Sequence, residues 1–295
     1  PAGARGTAPI CTFRHRSRVE SLQADSFLER MGEIKMRCRE VIEKLETLSP
    51  GQFAESWDNV GLLAGRYDRE ITSIMLAVDA TDHVVEEAVQ KGVSLLLTHH
   101  PLIFSARKKI NDGDFIGKRL VMLLQNDICY YAMHTNFDVM GMADAAADEI
   151  GLKDREVLDV TYEDEIAREG IGRFGRLPKA MTLEACGEWI KEIFALESVK
   201  MFGDGERIVE RAAICPGSGK SVIQKAVQMG AEVLITGDID HHAGIDAVAM
   251  GLSILDAGHY GLEKIFVPYM EEFLKRECPG IQVMRAREQS PFRIL

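Results

Sequence analysis

One stretch of this 295-residue chain occurs twice. Ala88-Val89-Gln90-Lys91-Gly92, running on to Leu97-Thr98, is echoed by Ala226-Val227-Gln228-Met229-Gly230, running on to Ile235-Thr236, an offset of 138 from Ala88 to Ala226. After each copy come a helical pattern, a short apolar run and a histidine four residues before a carboxylate: His134 with Asp138, and His259 with Glu263. An offset this long means duplication and not a solenoid. It predicts an α/β protein of two similar halves that face one shared crevice.

The first copy contains V-S-L-L-L-T-H-H-P-L, Val93 to Leu102. A run so short and apolar reads as a strand buried on both faces, as in a parallel sheet. Pro101 has no N–H for the ladder, so the strand stops there. His99 and His100 are then delivered to the carboxyl end of a buried strand, where open α/β sheets place their ligands. Successive residues leaving a strand point to opposite sides, so each histidine can serve a different metal.

The remaining punctuation supports the same pattern. Met36 to Leu48 places Val41, Ile42, Leu45 and Leu48 on one helical face. Ile71 to Val78 reads as a strand, and Asp82 opens a helix that Gly92 closes. Phe115 to Gln125 reads as helix and Ile128 to Met133 as strand. In the second copy, strands are expected at Arg173–Leu177, Ile208–Ile214, Val233–Thr236, Ser253–Ala257 and Ile281–Arg285, and Thr182 caps a helix. Asp58-Asn59, between Trp57 and an apolar strand, reads as a turn or as a pair facing a site. Arg107, Lys108 and Lys109 form a basic island just after the two histidines, the usual mark of a solvated face.

The expected organisation is an N-terminal extension over residues 1–35, a first half over 36–152, and a second half over 153–295 that includes the C-terminal helix and strand. Residues 153–172 are polar and acidic and read as the connection. Residues 1–18 hold Arg5, Arg14, Arg16 and Arg18 and no acid, in a chain of net charge −11. This extension reads as weakly ordered or of cloning origin, with a helical turn or two at Gln23–Arg30. The overall acidity argues against a nucleic-acid partner, and no apolar run approaches the ~20 residues of a membrane span. Six scattered cysteines without a C-x-x-C pair fit a reducing cytoplasm.

Six of the eight histidines fall in three blocks, at 99–100 with 134, at 241–242 and at 259, all at or just past expected strand ends. Imidazole with carboxylate suits Zn, Fe, Mn or Co rather than Ca or Mg. No thiolate lies in these blocks, which disfavours a closed structural zinc site. Several imidazoles with a bridging carboxylate suit a pair of metals ~3.5–4 Å apart.

Together, S-W-D-N-V-G-L-L, L-L-T-H-H-P-L-I-F, H-T-N-F-D, G-S-G-K-S, G-D-I-D-H-H and D-A-G-H-Y-G-L-E-K resemble the Nif-three-like dinuclear metal protein family, whose members carry the name GTP cyclohydrolase 1 type 2 homologue. The resemblance runs in order from about Met36 to Arg285. It implies two divalent metal ions per chain (Zn, Fe or Mn), with His99, His100, Asp138 and His259 each binding one and Glu263 bridging both. Glu263, His134 and His241 are the candidate catalytic residues, with His134 and the pair His241-His242 near the metals rather than on them. It also implies a small-molecule substrate of nucleotide type and a toroidal homohexamer. The reaction implied is metal-dependent hydrolysis that opens the purine imidazole ring of GTP. The alternative is a metal-binding regulatory or metal-delivery protein without turnover.

The resemblance departs at Lys220-Ser221, where the family pattern has small residues. G-S-G-K-S looks like the end of a P-loop, but the full pattern needs Gly at 214 and the chain has Ile214. The stretch then reads either as a strand-to-helix turn whose free N–H groups hold a phosphate without a P-loop, or as a tight turn capping a helix.

Overall fold

A computed structural model describes residues 36–288 and 292–294. The expected turns at Gln23–Arg30, and the extension that holds them, lie outside the described residues. In the first lobe the strands are β1 (Met36–Arg37), β2 (Gly61–Ala64), β3 (Glu70–Ile71), β4 (Ser73–Ala77), β5 (Leu95–Thr98) and β6 (Cys129–Ala132). In the second they are β7 (Lys153–Glu163), β8 (Arg168–Thr182), β9 (Lys200–Phe202), β10 (Ile208–Ser218), β11 (Val233–Gly237) and β12 (Ser253–Asp256). A last strand, β13, spans Gln282–Arg285.

The duplication is explicit in the sheets. One has the order β13-β4-β5-β6-β2, the other β7-β8-β10-β11-β12-β9. Strands β4, β5 and β6 are parallel, and β2 closes their edge antiparallel to β6. Strands β10, β11 and β12 are parallel, and β9 closes their edge antiparallel to β12. In both lobes the antiparallel edge strand precedes the three parallel strands in the chain yet pairs with the last of them.

Period-two alternation explains why these short runs are apolar throughout. Leu95 and Leu97 pack with the helices Cys38–Leu48 and Phe266–Glu277, whereas Leu96 packs on the opposite face with Val84, Val85, Leu120 and Leu123. Val233 and Ile235 likewise pack with Leu183, Cys186 and Ile190, and Leu234 with Ile223, Ala226 and Ala247. Each leucine so buried contributes about 1.5–3 kcal/mol. Local signals hold as well: Gly92 takes the left-handed conformation (φ 62°), and Thr182 accepts from Ala185 N.

Two parts of the expected organisation need correction. Residues 153–172 are not a loose connection: β7 and β8 form a long antiparallel hairpin, and β8 runs well beyond the short strand expected at Arg173–Leu177. The sequence conceals β7 because it is an edge strand with Leu158 its one buried residue, so it lacks the apolar alternation of a half-buried strand. The C-terminal helix and strand, grouped above with 153–295, complete the first lobe instead. β13 pairs parallel with β4, Gln282 opposite Ser73 and Arg285 opposite Leu76. Phe266, Met270, Phe273 and Leu274 enter the first lobe's core. The chain therefore crosses from the second lobe into the first immediately after Glu263, with Ile265 packed against both cores. No described helix is long and apolar enough to cross a membrane.

Candidate metal centre

The carboxyl ends of β5, β6, β11 and β12 bring the site residues together. His99 and His100 extend the β5 ladder, their amides bonding Ala77 O at 3.3 Å and Val78 O at 2.9 Å. Pro101 breaks the run, and Tyr130 secures the turn: its hydroxyl donates to His100 O at 2.9 Å and accepts from Leu102 N at 2.7 Å. After β6 the chain turns at His134 into a short helix, Thr135–Phe137, and a wider turn, Asp138–Met142. After β12 the helix His259–Glu263 places its two terminal residues one turn apart on one face.

Every imidazole of the cluster is held through Nδ1. His99 Nδ1 lies 2.7 Å from Met133 O; a carbonyl has no proton to give, so this nitrogen is the donor. His100 Nδ1 meets Asp79 Oδ1 at 2.8 Å, His134 Nδ1 meets Asp58 Oδ1 at 2.8 Å, and His259 Nδ1 meets Asp238 Oδ2 at 2.7 Å. A carboxylate behind an imidazole fixes its tautomer and makes the outward Nε2 a better electron-pair donor. Sequence reasoning missed Asp79 and Asp238, and it left Asp58 undecided. A single acid carries no local pattern, although Asp79 and Asp238 stand just past β4 and β11.

The Nε2 atoms converge. His100 Nε2 is 3.1 Å from His259 Nε2 and 3.1 Å from Glu263 Oε2, which lies 3.0 Å from His259 Nε2. His99 Nε2 is 3.4 Å from Asp138 Oδ1 and 3.5 Å from Glu263 Oε1. With each Nδ1 serving as donor, the Nε2 atoms of His99, His100 and His259 and the oxygens of Asp138 and Glu263 crowd into one space. Among the described residues, His99 Nε2, Asp138 Oδ1 and Glu263 Oε2 are buried side-chain atoms without a hydrogen-bond partner. Orphaned buried acceptors are costly unless a cation lies between them. Three overlapping groups could hold one: His99, Asp138 and Glu263; His100, His259 and Glu263; and His99, His100 and His134. Glu263 belongs to two of them.

Protonation follows the same demand for positive charge. Burial opposes a charge on His100, but Asp79 and Glu263 outweigh it and push its pKa up to about 10. Burial opposes a charge on His259 as well, and Glu263 and Asp238 push it up to about 9. Burial would raise Glu263, yet His99, His100 and His259 hold it well below the usual carboxylate range. Burial raises Asp138, against the pull of His99.

Two glycines are required by close approach. A Cβ on Gly217, which has φ +76°, would stand 2.5 Å from Glu263 Oε1, and one on Gly237 would stand 2.5 Å from His259 N. G-S-G-K-S therefore packs against Glu263, while Lys220 Nζ is bound to Asp240 at 2.5 Å. The basic island lies in the loop beyond Pro101, with Arg107 paired to Asp114 and Lys108 and Lys109 exposed. The structure does not bring His241 into the cluster: His241 and His242 are exposed at the start of the helix His241–Ala249, their rings 5.4 Å apart. A cavity of about 730 Å³ opens beside His100 and His259, lined in part by Lys200, Lys264 and Tyr260.

Comparison with known proteins agrees with this geometry. The family model described as Duf34/NIF3 (NGG1p interacting factor 3) matches residues 36–291. A "GTP cyclohydrolase 1 type 2 homolog" of Clostridium perfringens is 33% identical over 264 residues, covering 88% of this chain and all of that protein. A Staphylococcus aureus hypothetical protein of known structure is 30% identical, with a TM-score of 0.79, covering 88% of this chain and 99% of its own. A Bacillus cereus protein related to NIF3 shares the fold at a TM-score of 0.81 and 23% identity, with the same coverage. The duplicated lobes, the strand-end histidines and the matched length lead to one assignment: the chain belongs to the Duf34/NIF3 family.

Proposed function

We propose that the chain is a dinuclear metal-dependent hydrolase that acts on a small molecule of nucleotide type. Opening of the purine imidazole ring of GTP is the reaction the relatives' name suggests. The observation that carries the reading is the convergence of possible ligand atoms: His99 with Asp138 on one side, His100 with His259 on the other, and Glu263 reaching both. The donor set of imidazole and carboxylate fits two cations of the Zn, Fe or Mn type. When bound, such a pair supplies hydroxide at neutral pH and polarises the electrophile.

The chain's own groups do the rest. Glu263, held ionised and 2% exposed, would offset the charge of two cations sharing one site. Asp79 and Asp238 hold the rings of His100 and His259 in register. His134, anchored through Nδ1 by Asp58, presents Nε2 to the same space and is the group placed to take and return a proton. His241 is proposed as a further catalytic residue only in an assembled form, for which we propose the homohexamer. The five described cysteines are free and buried, which fits a reducing cytoplasm.

Protein reconstituted with Zn, Mn or Fe is expected to hold two ions per chain and to convert GTP to a product heavier by one water. Two ions without turnover of any purine nucleotide would favour metal binding or delivery. No bound metal under any of these conditions would end the hydrolase reading, and a stable monomer by light scattering would end the hexamer.

A further inference from the structure

Trp57 and Phe104 are large aromatic side chains that the fold leaves in the open. Each is 55% exposed, in a chain with only 7% aromatic residues. Their rings lie 5.7 Å apart at 45°, and Trp57 meets the His134 ring edge-on at 6.1 Å and 76°. His134 in turn lies 5.4 Å from the His99 ring and 5.5 Å from the His100 ring. One imidazole therefore separates the exposed indole from the candidate metal ligands.

The backbone that carries the pair is held by buried polar groups. Asp58, the residue after Trp57, has a fully buried carboxylate that accepts from Asn59 N at 2.7 Å, His134 Nδ1 at 2.8 Å, Thr135 N at 3.0 Å and Thr135 Oγ1 at 2.5 Å. Glu55 N donates to Thr135 Oγ1 at 2.9 Å. Asn59 Nδ2 donates to Ile103 O at 2.5 Å, which ties the Trp57 turn to the loop of Phe104. Rings exposed to this degree add little to folding, yet the backbone on either side of them is tied down. A rigid, exposed aromatic pair is what a stacking platform needs, because little ordering entropy remains to be lost on binding.

We propose that Trp57 and Phe104 form the platform on which a planar heteroaromatic ring of the substrate stacks at the mouth of the metal centre. Exposed Lys108 and Lys109, on the same loop as Phe104, offer counter-charge for anionic substituents on that ring. This deepens the hydrolase reading and rests on it for the identity of the site. It assigns Trp57 and Phe104 to binding and positioning, not to the reacting atoms.

Fluorescence tests it without turnover. The chain has two tryptophans, and Trp189 packs against the second core, so Trp189→Phe in the metal-loaded protein leaves Trp57 as the reporter. Guanosine, GMP and GTP are expected to quench it saturably, and ribose 5-phosphate is not. Trp57→Ala should raise the Kd of GTP, followed by equilibrium dialysis, about ten- to a hundredfold. Phe104→Ala should raise it less, and Trp57→Phe should keep it within about threefold of the parent. Metal content should not change in any of them. No quenching by any guanine compound, or a Kd for GTP unmoved by Trp57→Ala, overturns the platform. Binding confined to the cavity beside His259 would appear as that second result. Quenching without turnover keeps the platform and counts against the hydrolase; turnover indifferent to Trp57→Ala removes the platform alone.

Discussion

The two lobes share one four-strand unit, three parallel strands and an antiparallel edge, and divide the site unequally. At the end of β5 stand His99 and His100; 138 residues on, at the end of β11, stand Gly237 and Asp238. The first lobe offers ligands there. The second offers space for the His259 backbone and a carboxylate for the His259 ring. Just past β4 stands Asp79, the anchor of His100, whereas its counterpart Gly217 yields room to Glu263. Only the strand-to-helix corners after β6 and β12 remain alike, each with a histidine and an acid four residues on. Duplication thus built two like corners, and the neighbouring positions diverged: the end of β5 carries two candidate ligands, and the end of β11 carries a glycine and a supporting carboxylate.

Glu263→Gln is the strongest way to break this comparison. It removes the one carboxylate shared by two ligand groups and should cost both metals more than the ~10–100-fold in affinity typical of outer-shell changes. Asp138→Asn and His259→Ala should each empty mainly one position, read by elemental analysis of protein purified without chelator. Equal losses from all three would mean that Glu263 does not bridge.

Gly217→Ala should rank next. The added methyl meets Glu263, and the left-handed backbone costs about 1–2 kcal/mol for a residue with a Cβ. Metal content and Tm should fall together; an unchanged Tm would deny the close approach.

Asp79→Asn and Asp238→Asn sharpen the comparison because they test matched supports in opposite lobes. Each should weaken metal binding about 10–100-fold in competition titrations, and a large effect from only one would show that the lobes are not equivalent in support.

Smaller still is a pH effect in the metal-free protein. His100 and His259 have folded pKa values of about 10 and about 9, above the unfolded ~6.5. Their contribution to stability is therefore complete below about pH 6.5 and lost as pH rises through those values. The Tm of the metal-free protein should fall across that window. Metal affinity should rise over the same range, because binding no longer has to expel the protons. His241→Ala should have the least effect and leave metal content unchanged, and a lost metal would place this exposed residue at the centre after all.

Much of this was legible in the chain itself. The repeat, the buried runs ending in Thr98 and Thr236, and the histidines beyond them are local patterns, and local periodicity is what a sequence reports directly. The corner acids Asp138 and Glu263 were legible because each follows its histidine at a fixed spacing. Tertiary structure alone decided which lobe receives β13, because strand pairing depends on partners far away in the chain. It also decided that β7 is a strand, since an edge strand with one buried residue shows no alternation. It selected Asp58, Asp79 and Asp238 from 46 acidic residues, because a supporting carboxylate is defined by the ring it reaches and not by its neighbours in sequence. And it gave Gly217 its reason: the glycine is there for a carboxylate that arrives from 46 positions further on, at Glu263.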